Sequence, residues 1–337
     1  MKKYTLLRTF ISMTILLLLS SLTACKEERT LTTPEPTVRV LIATSGLGDL
    51  SYNDNILRGI MEEQRENYFR LMYHTPEDES EAEQVVREWQ QSDDAQYCYT
   101  ILAASEFENL ARKTMPAAGS HHYLMFDTKA EDLTIPSFHF SGYGVSFLAG
   151  IAAYAQVRAD VAVYIGGQQH ESYIEECYHG FRDGYLYAGG KGVVETYLST
   201  TQQGFALPKR AYEMADSLYR LYPFIYAMAG SSNKGVYEYL RDYPQVNGYT
   251  AGVDIDQSAY SNRIIGSMIK EIGRCVGQYI ALWMKGEPIP MRQKYTLDSG
   301  FMSFKIAAPY KEKLEQMVAE NFQIAIQKEI EYEKKPH

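Results

Sequence analysis

The chain has 337 residues with 42 acidic and 33 basic side chains, which gives a formal net charge of −9 at pH 7. Nucleic-acid phosphates are bound through clusters of lysine and arginine, so this acidic balance argues against nucleic acid as a partner. The length exceeds that of a typical single domain and favours two lobes.

The N-terminal segment is predicted to direct export and to lie outside the fold. Three basic residues precede an apolar stretch that is too short to span a bilayer. The stretch ends in Leu-Thr-Ala-Cys at 22–25, which resembles a bacterial lipobox; an ordinary signal peptide with a chance cysteine is the alternative. We expect residues 1–24 to be removed, Cys25 to be lipidated, and the polar segment 25–37 to tether the domain to the bacterial cell envelope, facing the periplasm or the cell surface.

Removal of residues 1–24 would bring the net charge to about −12, because that segment has three basic and no acidic side chains. The other cysteines are Cys98, Cys177 and Cys275, which are widely spaced and fall in predicted strands or helices. This pattern favours buried thiols over a disulfide framework or a metal site.

Strands and helices are predicted to alternate through most of the chain. The predicted strands are 38–43, 69–74, 97–103, 123–126, 137–140, 161–165, 192–198, 224–229 and 248–253. The predicted helices are 55–67, 79–91, 107–113, 145–158, 174–188, 206–222, 234–242, 262–285 and 309–321. Such alternation is typical of parallel sheets flanked by helices, and two consecutive series predict two sheets.

The loop after the first predicted strand is a candidate ligand site. Two glycines allow a tight turn, and Ser51, Asn53 and Asp54 offer N-caps to the helix that follows. Tyr52 and Asn53 place an aromatic ring beside an amide, which suits a flat polar ligand. A second glycine-containing turn, 230–235, opens a helix but lacks P-loop spacing.

Further candidate residues follow other predicted strands. They are Asp127, Phe205, Gly230, Asp254, Asp256 and Lys270, in addition to Tyr52 and Asn53. The carboxyl ends of parallel strands meet at one edge of a sheet, where ligands bind. Aromatic faces, carboxylates, an amide and a lysine are the groups that a nucleoside needs for its base and its ribose.

These segments resemble the basic membrane lipoprotein, or purine nucleoside receptor, family. The similarity runs in order from about residue 38 to 310. The matching motifs are Gly-Asp-Leu-Ser-Tyr-Asn at 48–53, Ser-Phe-Leu-Ala-Gly-Ile-Ala-Ala at 146–153, Gly-Gly at 166–167, Gly-Phe-Arg-Asp-Gly at 180–184, Gly-Val-Asp-Ile-Asp-Gln-Ser at 252–258 and Ser-Met-Ile-Lys at 267–270. Tyr52 stands where the family usually has Phe.

The resemblance implies an α/β fold of two Rossmann-like parallel-sheet lobes joined by a hinge, which is the fold of type I periplasmic binding proteins. Lobe one is expected to take residues 38–139 plus 258–286, and lobe two residues 142–254 plus 295–325. Chain crossings between the lobes are expected near 141–142 and 256–257.

The resemblance also implies how a ligand is held between the lobes. Tyr52 and Phe205 would sandwich the base, while Asn53 and Asp127 would hydrogen-bond to it. Asp254, favoured over Asp256, would hold the ribose with Lys270, and Gly230 would allow close backbone approach. The implied function is capture of a nucleoside, in particular a purine nucleoside, for an ABC transporter permease, without a cofactor, a metal or catalysis.

The motifs of two other kinds of site are incomplete in this sequence. Ser-x-x-Lys at 231–234 and 267–270 would suit an acyl-serine enzyme, but the accompanying S-D-N and K-T-G elements are absent. The histidines at 121–122 and 170 lack the spacing of a metal site.

Two further alternatives stay open. Asp127 and Asp254 would suit a nucleoside hydrolase, although no nucleophile–base pair is apparent. The same binding domain would also serve in a ligand-sensing lipoprotein that signals to a membrane partner, and the sequence does not separate sensing from uptake.

Overall fold

The computed structural model describes residues 35–114 and 122–335. The predicted signal peptide, Cys25 and most of the tether lie outside these residues. The strands are β1 Thr37–Leu41, β2 Arg70–His74, β3 Cys98–Leu102, β4 Tyr123–Phe126, β5 Ser137–Phe140, β6 Val161–Gln168, β7 Gly192–Ser199, β8 Phe224–Met228, β9 Tyr249–Gly252, β10 Ile264–Lys270, β11 Arg292–Tyr295 and β12 Met302–Ile306. The α-helices are α1 Tyr52–Glu66, α2 Glu79–Gln91, α3 Glu108–Thr114, α4 Tyr143–Val157, α5 Ser172–Tyr187, α6 Pro208–Leu218, α7 Asn233–Asp242, α8 Ile272–Lys285, α9 Lys311–Glu320 and α10 Phe322–Glu333.

Two six-stranded sheets form the frame of the described chain. Their strand orders are β11-β5-β4-β3-β1-β2 and β12-β10-β9-β8-β6-β7. Every pairing is parallel except that of β12, an edge strand antiparallel to β10. The predicted α/β fold with two Rossmann-like sheets is confirmed. In both sheets the order reverses next to the first strand of the series, and ligands bind at such a switch point.

The segment 258–286 is divided between the lobes, which corrects the predicted assignment of the whole segment to lobe one. The predicted helix 262–285 begins instead as strand β10, which pairs with β9 and β12 in the second sheet. Its Ile-Ile-Gly-Ser-Met-Ile sequence is rich in β-branched residues and almost fully buried, so sheet pairing outweighs the helical pattern. The second crossing therefore lies between β10 and α8 and not near 256–257.

A further crossing joins β11 to β12. Strand β11 belongs to the first sheet, so Tyr295 lies outside lobe two, contrary to the boundary predicted at 295. Helix α10 follows α9 directly and was not predicted from the sequence. The crossings after β5, β10 and β11 together form the hinge.

Helix α8 returns to the first lobe and packs closely on α1. A Cβ atom on Gly59 would lie 2.3 Å from the Gly273 backbone, so only glycine permits this approach. Cys98, Cys177 and Cys275 are buried free thiols, as predicted. Among the helices of the described residues, none is both long and apolar enough to cross a membrane.

Candidate functional site

A cleft lies where the carboxyl ends of the strands of both lobes face each other. It encloses about 770 Å³ of space, open solvent included, within the range of small-ligand sites. Six of the predicted site residues line it: Tyr52, Asp127, Phe205, Gly230, Asp254 and Lys270. The sheet topology thus brings together side chains up to 218 positions apart in sequence, the separation of Tyr52 and Lys270.

Lys270 and Asp127 form an ion pair at the base of this cleft. The Lys270 side chain is 1% exposed and its Nζ contacts Oδ2 of Asp127. The same Nζ lies 4.9 Å from the ring centre of Tyr52 and 4.4 Å from that of Tyr173. Oδ1 of Asp127 is buried and has no hydrogen-bond partner among the described residues. The lysine is therefore already engaged, while one oxygen of Asp127 remains available as an acceptor.

Asp127 and Asp254 occupy equivalent positions at strand ends in opposite lobes. Asp127 follows β4 with a φ of 57°, and Asp254 comes two residues after β9 with a φ of 64°. Left-handed backbone is uncommon outside glycine and often marks functional positions. Asp254 accepts a hydrogen bond of 2.5 Å from Oγ of Ser51. Burial raises the pKa of Asp254, an effect that the nearby Lys270 opposes.

The aromatic walls of the cleft are held in fixed positions. The Tyr52 hydroxyl donates to the Ala103 carbonyl at 3.2 Å within its own lobe. Across the cleft, the Phe205 ring fills the space above two glycines. A Cβ on Gly167 would lie 2.6 Å from this ring, and Gly230, with a φ of +53°, would place a Cβ 3.3 Å from the Phe205 carbonyl oxygen. The glycines thus make room for Phe205.

Asn53, a predicted contact to the ligand, is not among the residues that line the cleft. Its buried amide donates to Oγ of Ser45 at 3.1 Å and to the Gly46 carbonyl at 2.7 Å. This amide holds the turn before α1 in shape. Its Oδ1 is buried and has no partner within the described part of the chain, so a direct ligand contact by Asn53 stays a prediction.

Helix α1 is capped differently from the sequence prediction. Ser51 occupies the N-cap position but makes no side-chain cap bond. Asp49 accepts from the backbone N–H groups of Ser51 at 3.0 Å and Asn53 at 2.8 Å. The cap is therefore supplied from two residues further upstream, which releases the Ser51 hydroxyl for Asp254.

The cleft also contains residues that sequence reasoning missed. Glu171 and Tyr173 line it from the start of α5. Oε2 of Glu171 accepts from the Ile174 N–H at 2.9 Å, and burial raises the pKa of this carboxyl. A carboxylate three residues before the predicted helix 174–188 was the available signal for Glu171. Tyr173, one of 28 tyrosines, carried none.

Asp256 lies outside the cleft lining and forms an ion pair with Lys305 at 2.8 Å. Of the two carboxylates that the sequence offered after β9, Asp254 is the one that faces the cleft. The described residues contain no group of three or more side chains that could hold a metal ion.

The Ser-x-x-Lys patterns do not form catalytic pairs. Oγ of Ser231 donates to the Phe205 carbonyl, and Oγ of Ser267 accepts from the Gln257 N–H. Lys234 contacts the opposite lobe and Lys270 contacts Asp127. Neither lysine is hydrogen-bonded to its serine, so the geometry does not favour an acyl-serine enzyme.

Two Rossmann-like lobes around an aromatic and carboxylate-lined cleft define the class of periplasmic-binding-protein-like domains. The family described as "ABC transporter substrate-binding protein PnrA-like" matches residues 37–335. The chain belongs to this family. No curated protein sequence matches it significantly.

Solved structures share the architecture at low sequence identity. An ABC transporter solute-binding protein from Aeropyrum pernix K1 is 18% identical with a TM-score of 0.76, covering 88% of this chain and 92% of that one. A transcriptional activator of the comK gene from Bacillus halodurans is 14% identical with a TM-score of 0.68, covering 86% and 98%. A sugar-binding protein of an ABC transporter from Bacillus halodurans is 15% identical with a TM-score of 0.61, covering 82% and 99%. At these identities the likeness shows the fold and not the ligand.

Proposed function

We propose that this substrate-binding protein is a lipid-anchored receptor that captures a nucleoside, in particular a purine nucleoside, and delivers it to an ABC transporter permease. The observation that carries the ligand assignment is that Tyr52 and Phe205, from opposite lobes, line one cleft together with Asp127, whose Oδ1 has no partner among the described residues. Rings from two lobes offer π-faces to a planar base.

The polar groups of the cleft suit the rest of a nucleoside. The free Oδ1 of Asp127 can accept from a base N–H. Asp254 can accept from ribose hydroxyls, and Glu171 adds a further acceptor on the lobe-two wall. The only cation of the described lining, Lys270, is already paired with Asp127. This acceptor-rich lining favours a ligand with several donors and no phosphate.

The same geometry supports binding without turnover. Asp127 is engaged by Lys270, and Asp254 by the Ser51 hydroxyl. Both carboxylates are thus held by neighbouring side chains, which favours a binding role over the free carboxylate pair of a hydrolase. Incubation with nucleosides should therefore release no free base, and chromatographic detection of free base would refute the non-catalytic assignment.

Isothermal titration calorimetry of the purified protein against nucleosides, free bases and monosaccharides tests the ligand class. We expect purine nucleosides to bind most tightly, free bases more weakly and monosaccharides not measurably. Binding of monosaccharides alone would overturn the nucleoside assignment while leaving membership of the substrate-binding family intact.

A further inference from the structure

The loop 48–51, just before α1, contacts the second lobe through its carbonyl groups. Nζ of Lys234 donates to the Gly48 carbonyl at 2.5 Å. Nε2 of Gln257 donates to the Leu50 carbonyl at 3.2 Å. Both donors belong to lobe two, on α7 and between β9 and β10, and neither lines the ligand cleft.

The backbone of this loop is arranged so that its carbonyls face outward. The N–H groups of Gly48 and Leu50 both donate to the Asp54 carboxylate, each at 2.8 Å. Gly48 has a φ of 81° and Leu50 a φ of 54°. Leu50 adopts this left-handed conformation without being glycine, which costs energy. Lobe one thus uses the loop's donors internally and presents its acceptors to lobe two.

On the opposite side, the Gln257 side chain is held in one orientation. Its Oε1 accepts from the Tyr237 hydroxyl and from the Val253 N–H, the latter at 3.1 Å. Because a backbone N–H can only donate, Val253 fixes which end of the amide is oxygen. These bonds lie within lobe two and turn the NH₂ group toward the Leu50 carbonyl.

We propose that Gln257 and Lys234 are positioning residues that set ligand affinity by holding loop 48–51 against lobe two in the closed state. This inference rests on the proposed function, in which a ligand is held between closed lobes. The contacts break when the lobes open, so they stabilise the closed state relative to the open one. A ligand that binds only when the lobes are closed gains affinity from them without touching them.

The sharpest test is Gln257→Glu in the full chain. Glutamate has the same shape and keeps an acceptor for Tyr237 and Val253, but it replaces the donor facing Leu50 with an oxygen. Stopped-flow measurements with the nucleoside that binds most tightly should show dissociation about 3- to 10-fold faster, the effect of losing one hydrogen bond. The association rate should change less than twofold, and the same factor should apply to every nucleoside that binds.

Lysine variants provide the matched controls. Lys234→Met should raise the dissociation rate about 2- to 3-fold, since this contact is more exposed, and Lys234→Arg should restore it. Lys209→Met removes an exposed lysine from the same lobe and should leave the rate unchanged. Wild-type dissociation rates in both Gln257→Glu and Lys234→Met would overturn the proposal, as would effects that differ among nucleosides.

A distance measurement separates this inference from the nucleoside assignment. Spin labels introduced as unnatural amino acids at Glu66 and Glu213, exposed positions on opposite lobes, report the lobe separation in the ligand-free chain. Gln257→Glu should shift the population toward longer distances. If the wild type binds no nucleoside but this shift occurs, the proposed function fails and the closure contacts stand. If nucleosides bind and neither the distances nor the rates change, the closure contacts fail alone.

Discussion

Glu329 accepts hydrogen bonds from the backbone near two of the chain crossings that form the hinge. Its ionisation should make the free energy of unfolding depend on pH. This residue of α10 is 1% exposed. Its carboxyl accepts from the Gly144 N–H at 3.1 Å, just after the first crossing, and from the Leu297 N–H at 3.0 Å, between β11 and β12. Substitution by glutamine keeps the shape and one acceptor but removes the titratable group.

The size of this pH-dependent contribution to stability follows from the shift in the pKa of Glu329. Burial raises the pKa of Glu329 from its ordinary value of 4.5 to about 7, although the backbone donors of Leu297 and Gly144 oppose the shift. Between these values the folded state holds a proton that the unfolded state has lost. The stability contribution is therefore present below pH 4.5 and is lost as pH rises through about 7. At about 1.4 kcal/mol per pKa unit, the loss amounts to about 3 kcal/mol.

Urea unfolding of the wild type and Glu329→Gln at a series of pH values from 4.5 to 8.5 measures this contribution. The variant loses one acceptor at every pH, so it should be less stable than the wild type under acidic conditions. The difference in unfolding free energy between the wild type and the variant should then shrink by about 3 kcal/mol as the pH rises to 8.5. Glu320→Gln, an exposed change on the neighbouring helix, should show no such trend. A wild-type-minus-variant difference that is constant across the series would refute the reasoning.

Three other predictions concern the ligand and the anchor. Tyr52→Ala should weaken nucleoside binding about 5- to 150-fold by calorimetry. Tyr52→Phe should bind nearly normally, because the Tyr52 hydroxyl bonds to Ala103 within lobe one. Weaker binding by Tyr52→Phe than by Tyr52→Ala would contradict stacking of the base on this ring. Asp127→Ala should abolish tight binding and lower the unfolding free energy by about 3–5 kcal/mol, since Lys270 is left buried without its partner, and Lys270→Met in the same chain should recover part of that stability. Cys25→Ala should move the protein from the membrane to the soluble fraction on immunoblots, and continued membrane association would exclude lipidation as the anchor.

Much of the architecture could be predicted because it depends on local patterns. Short β-branched runs alternating with amphipathic helices predict parallel sheets, and residues that follow strands predict the cleft edge. Tyr52, Asp127 and Asp254 were found in this way, and each lines the cleft. Their identification needed only the order of the elements along the chain.

The errors occur where long-range pairing outweighs local pattern. Residues 264–270 precede a helix and continue its apolar pattern, yet they form β10 because β9 and β12 offer hydrogen-bond partners on both sides. Only the folded chain contains those partners. The capping of α1 differs from the sequence prediction for a related reason. The Ser51 hydroxyl donates to Asp254 of the other lobe and not to the backbone of its own helix.

The sequence by itself determined the class of fold, the position of the cleft edge and most of the residues that face it, since strand periodicity and the turns at strand ends are local properties. Only the tertiary structure decided that Asn53 supports a turn, that Glu171 and Tyr173 join the cleft wall, and that Gln257 reaches Leu50 across the lobes. These outcomes depend on which side chains meet after two separate sheets close on each other. The contacts join residues as much as 207 positions apart, a relation that no local pattern records.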